Sequence, residues 1–115
     1  MQNKINDTVR LRHILNAIQD IKTFLKDTDY NRFESDKMLQ SACIHQLVII
    51  GEAANHFSDE LFKRHETIEW AKIVGLRNLP GHEYFGIDLR IVWQIIQNNL
   101  PRLKKNIKLI LKELT

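Results

Sequence analysis

The chain has 115 residues and a net charge of +3, with 43% of residues hydrophobic and 27% charged. Those proportions exclude a disordered chain and fit one compact domain over residues 1–115, able to bury a core without disulfides or a structural metal. A lone cysteine, Cys43, excludes an internal disulfide and fits a reducing, cytoplasmic setting; without an apolar leader or a run of about 18 apolar residues, neither export nor a membrane span is expected.

The first predicted helix covers about residues 7 to 27. Leu11, Ile14, Leu15, Ile18, Ile21 and Leu25 form one stripe at helical spacing, and Asn6-Asp7 reads as its cap. KDTDYNRFESD then interrupts with polar and turn-forming residues. A second helix is predicted from Ser35 or Asp36 to about His56, with Leu39, Cys43, Leu47, Ile50, Ala54 and Phe57 on its inner face. Met38, Ala42, Ile49 and Ala53 make its other side apolar too, the mark of a central helix or of one that meets a partner. SDELFKRH reads as a short helix capped by Ser58, with Leu61 and Phe62 inward. TIEWAKIVGLRN predicts another, capped near Thr67 and ended by Pro80. The last begins at Asp88: Leu89, Trp93, Ile96, Leu100, Leu103, Ile107, Ile110 and Leu114 keep steps of four and three. That stripe continues past Pro101, which predicts a kink or brief break without a change of face. No stretch alternates as a strand does. The fold class is all-α, a bundle of four or five helices.

The most loaded stretch is GLRNLPGHEYFGID, residues 75–88. On an unbroken helix Arg77 and His82 would point about 140° apart, so within one chain they act together only if the backbone bends between them. Pro80 biases Leu79 away from helical angles and Gly81 permits positive φ, which places Arg77 in the last turn of one helix and His82 on a bend. Arg offers a planar, permanently charged fork to phosphate, and His exchanges protons near neutral pH. RNA carries its own nucleophile, the 2′-OH, so its cleavage needs a base, an acid and a cation rather than a metal. One chain supplies one such His; a two-fold dimer supplies two. The same residues also fit a capped helix end, with Arg77 paired to an acid, His82 bonded to a carbonyl, and Tyr84 and Phe85 packed.

Other groups carry less. His45, Ile49, Glu52 and His56 share a helical face, but the two imidazoles lie about 16 Å apart along the axis and cannot share one ion, so no metal site is expected. Glu52 is predicted near the cleft, either orienting His82 or Arg77 or forming an ion pair. His13 and His65 read as surface residues, Cys43 as a buried thiol, and Trp70 and Trp93 as packing residues. From Arg102 onward five basic residues stand against Glu113, a solvated face or an attraction for RNA phosphates. Phosphate loops, dinucleotide fingerprints and serine elbows are absent from the sequence.

RNLPGHEY fits Arg, four residues, His, any residue, Tyr, and FGIDLRIVWQIIQNNLP follows it. IIGEAA stands upstream and WAKIVGLRN leads in. Together these motifs resemble the HepT-like branch of the HEPN domain family, over about residues 7 to 114. The resemblance implies an all-α homodimer whose paired motifs line a cleft at the interface. It implies a metal-independent endoribonuclease toxin that needs no cofactor. Its partner would be a small nucleotidyltransferase antitoxin, neutralising it by complex formation or by AMP transfer onto the motif Tyr. Carried over, Arg77 holds phosphate and stabilises the transition state, His82 is the acid/base residue, Asn78 is a polar helper and Tyr84 accepts AMP. AMP there would add bulk and negative charge beside the cations that receive RNA. The spacer departs from the usual pattern in containing proline, as Leu79-Pro80-Gly81. An alternative expectation is a non-catalytic nucleotide-binding or docking partner of a nucleotidyltransferase.

Overall fold

The computed structural model describes residues 2–80 and 88–115, and these contain helices and turns only. Helix α1, Gln2–Phe24, buries Leu11, Ile14, Ala17, Ile18 and Ile21 along one side. It starts several residues before the expected Asn6-Asp7 cap. Asp7 is used elsewhere: only 4% exposed, its carboxylate accepts the backbone N–H of Ser58 at 2.9 Å and the Ser58 hydroxyl at 2.6 Å. A group that reads locally as a helix start is taken by a partner 51 residues away. The Ser58 oxygen in turn accepts from Leu61 N at 3.2 Å, which caps α4, Asp59–Arg64, as its sequence predicts.

The polar interruption after α1 holds a further helix, α2, Tyr30–Ser35. Asp29 caps it by accepting from Arg32 N at 2.9 Å, and Phe33 anchors it. That ring is fully buried, 5.3 Å between centroids from Trp93. One aromatic thus settles a segment whose other residues look like loop. Asp36 then caps α3, Lys37–Asn55, through Leu39 N. Helix α3 is central, packed on α1 along one side and on α5 along another. Cys43 lies within it, and burial pushes its thiol up to about 11, so the inert form prevails near neutral pH.

Helix α5 covers Trp70–Gly75, later than the expected start at Thr67. Its N-cap residue, Glu69, makes no side-chain cap bond. Trp70 sets the start instead: its indole N–H donates to His65 O at 3.0 Å, and its ring meets Phe57 and Phe62 edge-on. His65 is not a free surface residue; it is 18% exposed and sits 3.2 Å from the Glu113 carboxylate.

Asp88 caps α6, Leu89–Gln94, as predicted. A single wide π turn, Ile95–Asn99, leads into α7, Leu100–Leu114. Pro101 is the cause close at hand, since it has no amide to continue an α ladder. The stripe keeps its face across that break, with Ile96, Leu100, Leu103, Ile107 and Ile110 all buried. Among the described residues no helix is long and apolar enough to cross a membrane.

The Asp7–Ser58 link joins α1 to the start of α4. Replacing Asp7 with Ala leaves the partly buried donors of Ser58 without their acceptor, and should cost about 2–3 kcal/mol in urea unfolding. A loss below about 0.5 kcal/mol would show that water replaces the carboxylate at no cost.

Candidate active site

The site is built on a close approach of two backbones. An added Cβ at Gly51 would stand 2.6 Å from Arg77 N, 3.0 Å from Val74 O and 3.1 Å from Ile73 O. Only a residue without a side chain lets α5 and the turn after it lie this near to α3. The glycine of IIGEAA therefore sets where Arg77 begins, and its successor, Glu52, is carried alongside.

Beyond Gly75 the helix tightens into a 3-10 turn, Leu76–Asn78. Pro80 supplies the physical reason. In a continuous α-helix the Leu76 carbonyl would accept from the amide of residue 80, which proline lacks; here it accepts from Leu79 N instead. Leu79 itself stays helical, at φ −53 and ψ −42. The expectation that Pro80 drives Leu79 out of helical angles is thus incorrect, as is the expectation that the helix ends there, because the chain is still helical at Pro80. Proline is tolerated where a new turn begins, since the first amides of a turn need no partner. Arg77 sits on the tightened turn rather than in a last α-helical turn.

Leu76 is 9% exposed and pins this turn to the core, while Arg77 and Asn78 face outward. The Arg77 guanidinium is 3.6 Å from Glu52 Oε1 and 38% exposed. The second oxygen of Glu52 is 3.8 Å from His56 Nε2, one turn further along α3. One carboxylate is therefore shared by a guanidinium and an imidazole, and both Glu52 and His56 are about half exposed. An exposed pair of this kind contributes on the order of 0–1 kcal/mol. A phosphate, offering charge-assisted bonds to the same fork, can displace Glu52 at little cost.

The structure brings Arg77 and Glu52 together at one edge of α3, with Asn78 next to Arg77 on the same exposed turn. His82 and Tyr84 lie outside the described residues. His56 joins the cluster through Glu52, and the sequence signal for it is the four-residue spacing from Glu52 on one helical face. Among the described residues no three His, Cys, Asp or Glu side chains gather in a way that could hold a metal ion. Trp93 packs against Tyr30 and Phe33, and Trp70 against Phe57 and Phe62, so both indoles serve packing as expected. Lys105, Lys108 and Lys112 share the exposed face of α7, opposite its buried stripe.

A family model described as Ribonuclease HepT-like matches residues 14–110, and the chain belongs to that family. It is 38% identical over 100 residues to "Putative RNase MJ1380" of Methanocaldococcus jannaschii, covering 87% of this chain and 92% of that protein. It is 35% identical over 103 residues to "Putative RNase TTE0752" of Caldanaerobacter subterraneus subsp. tengcongensis, covering 90% and 92%. A third relative, "Probable ribonuclease HepT" of Thermococcus cleftensis, is 34% identical over 94 residues, covering 82% and 86%. No solved structure matches the chain. Family and relatives together support a ribonuclease.

Two glycines separate packing from propensity. Gly51→Ala gains about 1 kcal/mol of helix propensity but meets backbone atoms, an overpacking cost of about 1–3 kcal/mol. It should lower stability by up to about 2 kcal/mol and displace Arg77. Gly75 has helical angles and nothing within 4 Å of an added Cβ, so Gly75→Ala should raise the urea midpoint. Equal effects of the two substitutions would remove the close-approach account.

Proposed function

We propose that this chain is the ribonuclease toxin of a toxin–antitoxin pair, cutting RNA without a metal at a cleft between two copies. Arg77 grips the scissile phosphate and stabilises the charge of the phosphorane, and His82 handles the proton. The 2′-oxygen forms a bond to phosphorus as its proton leaves to a base; the bond from phosphorus to the 5′-oxygen breaks, and that oxygen takes a proton. The products are a 2′,3′-cyclic phosphate and a 5′-hydroxyl. Asn78 steadies the phosphate beside Arg77.

The observation that carries this reading is the guanidinium of Arg77. It is presented on a turn held by direct backbone packing, 38% exposed, and among the described residues its one ion-pair partner is a weak, displaceable carboxylate. A rigidly placed cation aimed at developing charge is what phosphate chemistry uses most. Two copies meeting along the outer face of α3 is supported by its apolar residues, with Met38 82% exposed and Ile49 partly so, on the same stripe as Glu52. Such a pairing doubles the Arg77 and His82 set around one groove. The inhibitory partner would be a small nucleotidyltransferase, acting by complex formation or by moving AMP onto Tyr84.

Cleavage of single-stranded RNA should persist in EDTA. Arg77→Ala should reduce it by about 10²–10³-fold, the usual cost of losing one transition-state donor, and His82→Ala should reduce it comparably. Cleavage that survives either substitution takes that residue out of the mechanism. Dependence on an added divalent ion would overturn the metal-free scheme.

Coexpression with a nucleotidyltransferase should add the mass of AMP to the wild-type chain and not to Tyr84→Phe. The same mass gain on the Phe variant would rule out Tyr84 as acceptor.

A further inference from the structure

Among the described residues α1 packs on α3 and on α7, and α3 packs on α2 and on α5, whereas α5 and α7 do not draw together in the same way. Between these two lies a cavity of about 490 Å3, within the ~300–1,000 Å3 range of ligand clefts. Leu76 and Leu103 give it an apolar floor. Lys72, Arg102, Asn99 and Asn106 line it with polar groups, Asn99 supplied by the wide turn before Pro101. Leu76, which lines it, directly precedes Arg77, so the seam borders the turn that carries the guanidinium.

The charges at the seam are unequal in their commitments. Glu69 is held by Lys72 at 2.6 Å, and this bond keeps the Glu69 carboxyl below its usual range, with a smaller pull from Arg102. Arg102 forms no ion pair among the described residues. One cation is spent on an internal pair and the other is available. Carboxamides provide both donors and acceptors, the mixture that the edge of a nucleobase requires. A flat base on an apolar floor and a phosphate on a guanidinium is the division of labour found where single strands bind.

We infer that the seam between α5 and α7 receives one unpaired nucleotide of the RNA strand whose scissile phosphate is at Arg77. The base lies on Leu76 and Leu103, its edge meets Asn99 or Asn106, and its phosphate meets Arg102. This inference rests on the ribonuclease reading above. A second copy of the chain is the less suitable occupant: two-fold pairing along the seam would set Arg102 against its own copy, a like-charge contact.

The test uses a fluorescein-labelled, 2′-O-methylated single-stranded dodecamer, which cannot be cleaved, with fluorescence anisotropy as readout. Arg102→Ala should weaken binding about ten-fold, the worth of one charged hydrogen bond, and flatten the slope of log affinity against log salt by about 0.7. Gly75→Phe plugs the seam, since nothing lies within 4 Å of a Cβ at Gly75, and should weaken binding similarly. Both variants should cleave a dinucleotide, too short to reach the seam, at the wild-type rate. Dodecamer affinity unchanged in both variants overturns the assignment and leaves the ribonuclease reading intact. Weaker binding accompanied by loss of an oligomer in sedimentation also overturns it, because the seam is then a contact between copies. If the wild type binds no dodecamer at all, the seam and the ribonuclease reading fail together.

Discussion

The absence of a β-carbon at residue 51 is the constraint from which the site follows. Because α3 carries no side chain there, the carbonyls of Ile73 and Val74 and the amide of Arg77 come to rest against its backbone. Packed backbones are stiffer than packed side chains, which have rotamers to exchange. The guanidinium of Arg77 therefore leaves from a fixed point, and Glu52, next along α3, is set beside it. A glycine within a helix costs about 1 kcal/mol of propensity; here that cost is offset by a placement that no larger residue permits.

The two prolines act in opposite directions on the same ladder. Before Pro80 the helix tightens, and the Leu76 carbonyl takes the amide of Leu79. Before Pro101 it widens, and the Ile95 carbonyl takes the amide of Leu100. The tight turn carries Arg77, and the wide one carries Asn99 to the seam between α5 and α7. Both depart from regular α geometry where polar groups face outward, and the buried stripe continues unbroken across the one before Pro101.

The strength of each contact matches what its group must do. Asp7 is buried and holds two donors of Ser58, so α1 and α4 are tied firmly. Arg77 and Glu52 are exposed and meet at 3.6 Å, a weak pair that restrains a flexible side chain without committing it. A tighter partner would compete with the phosphate proposed to bind there; a missing one would leave the long side chain free to wander, at an entropic cost on such binding.

Most of the helices were legible because their apolar residues repeat at helical steps, and Ser58, Asp36 and Asp88 cap where a local rule says they should. The motif reading of RNLPGHEY with IIGEAA pointed to the family that the chain belongs to. Local rules failed where a distant partner outbid them. Asp7 serves Ser58 rather than its own helix, Phe33 folds a polar segment onto Trp93, and Trp70 sets the start of α5 by reaching back to His65. Sequence alone determined the helical class and the caps at Ser58, Asp36 and Asp88, and it pointed to the groups proposed to react, because those depend on neighbours a few residues away. That Glu52 divides its two oxygens between Arg77 and His56, why Gly51 has to be glycine, and that a seam lies beside the site were decided by tertiary structure, because each depends on how closely two separate helices approach.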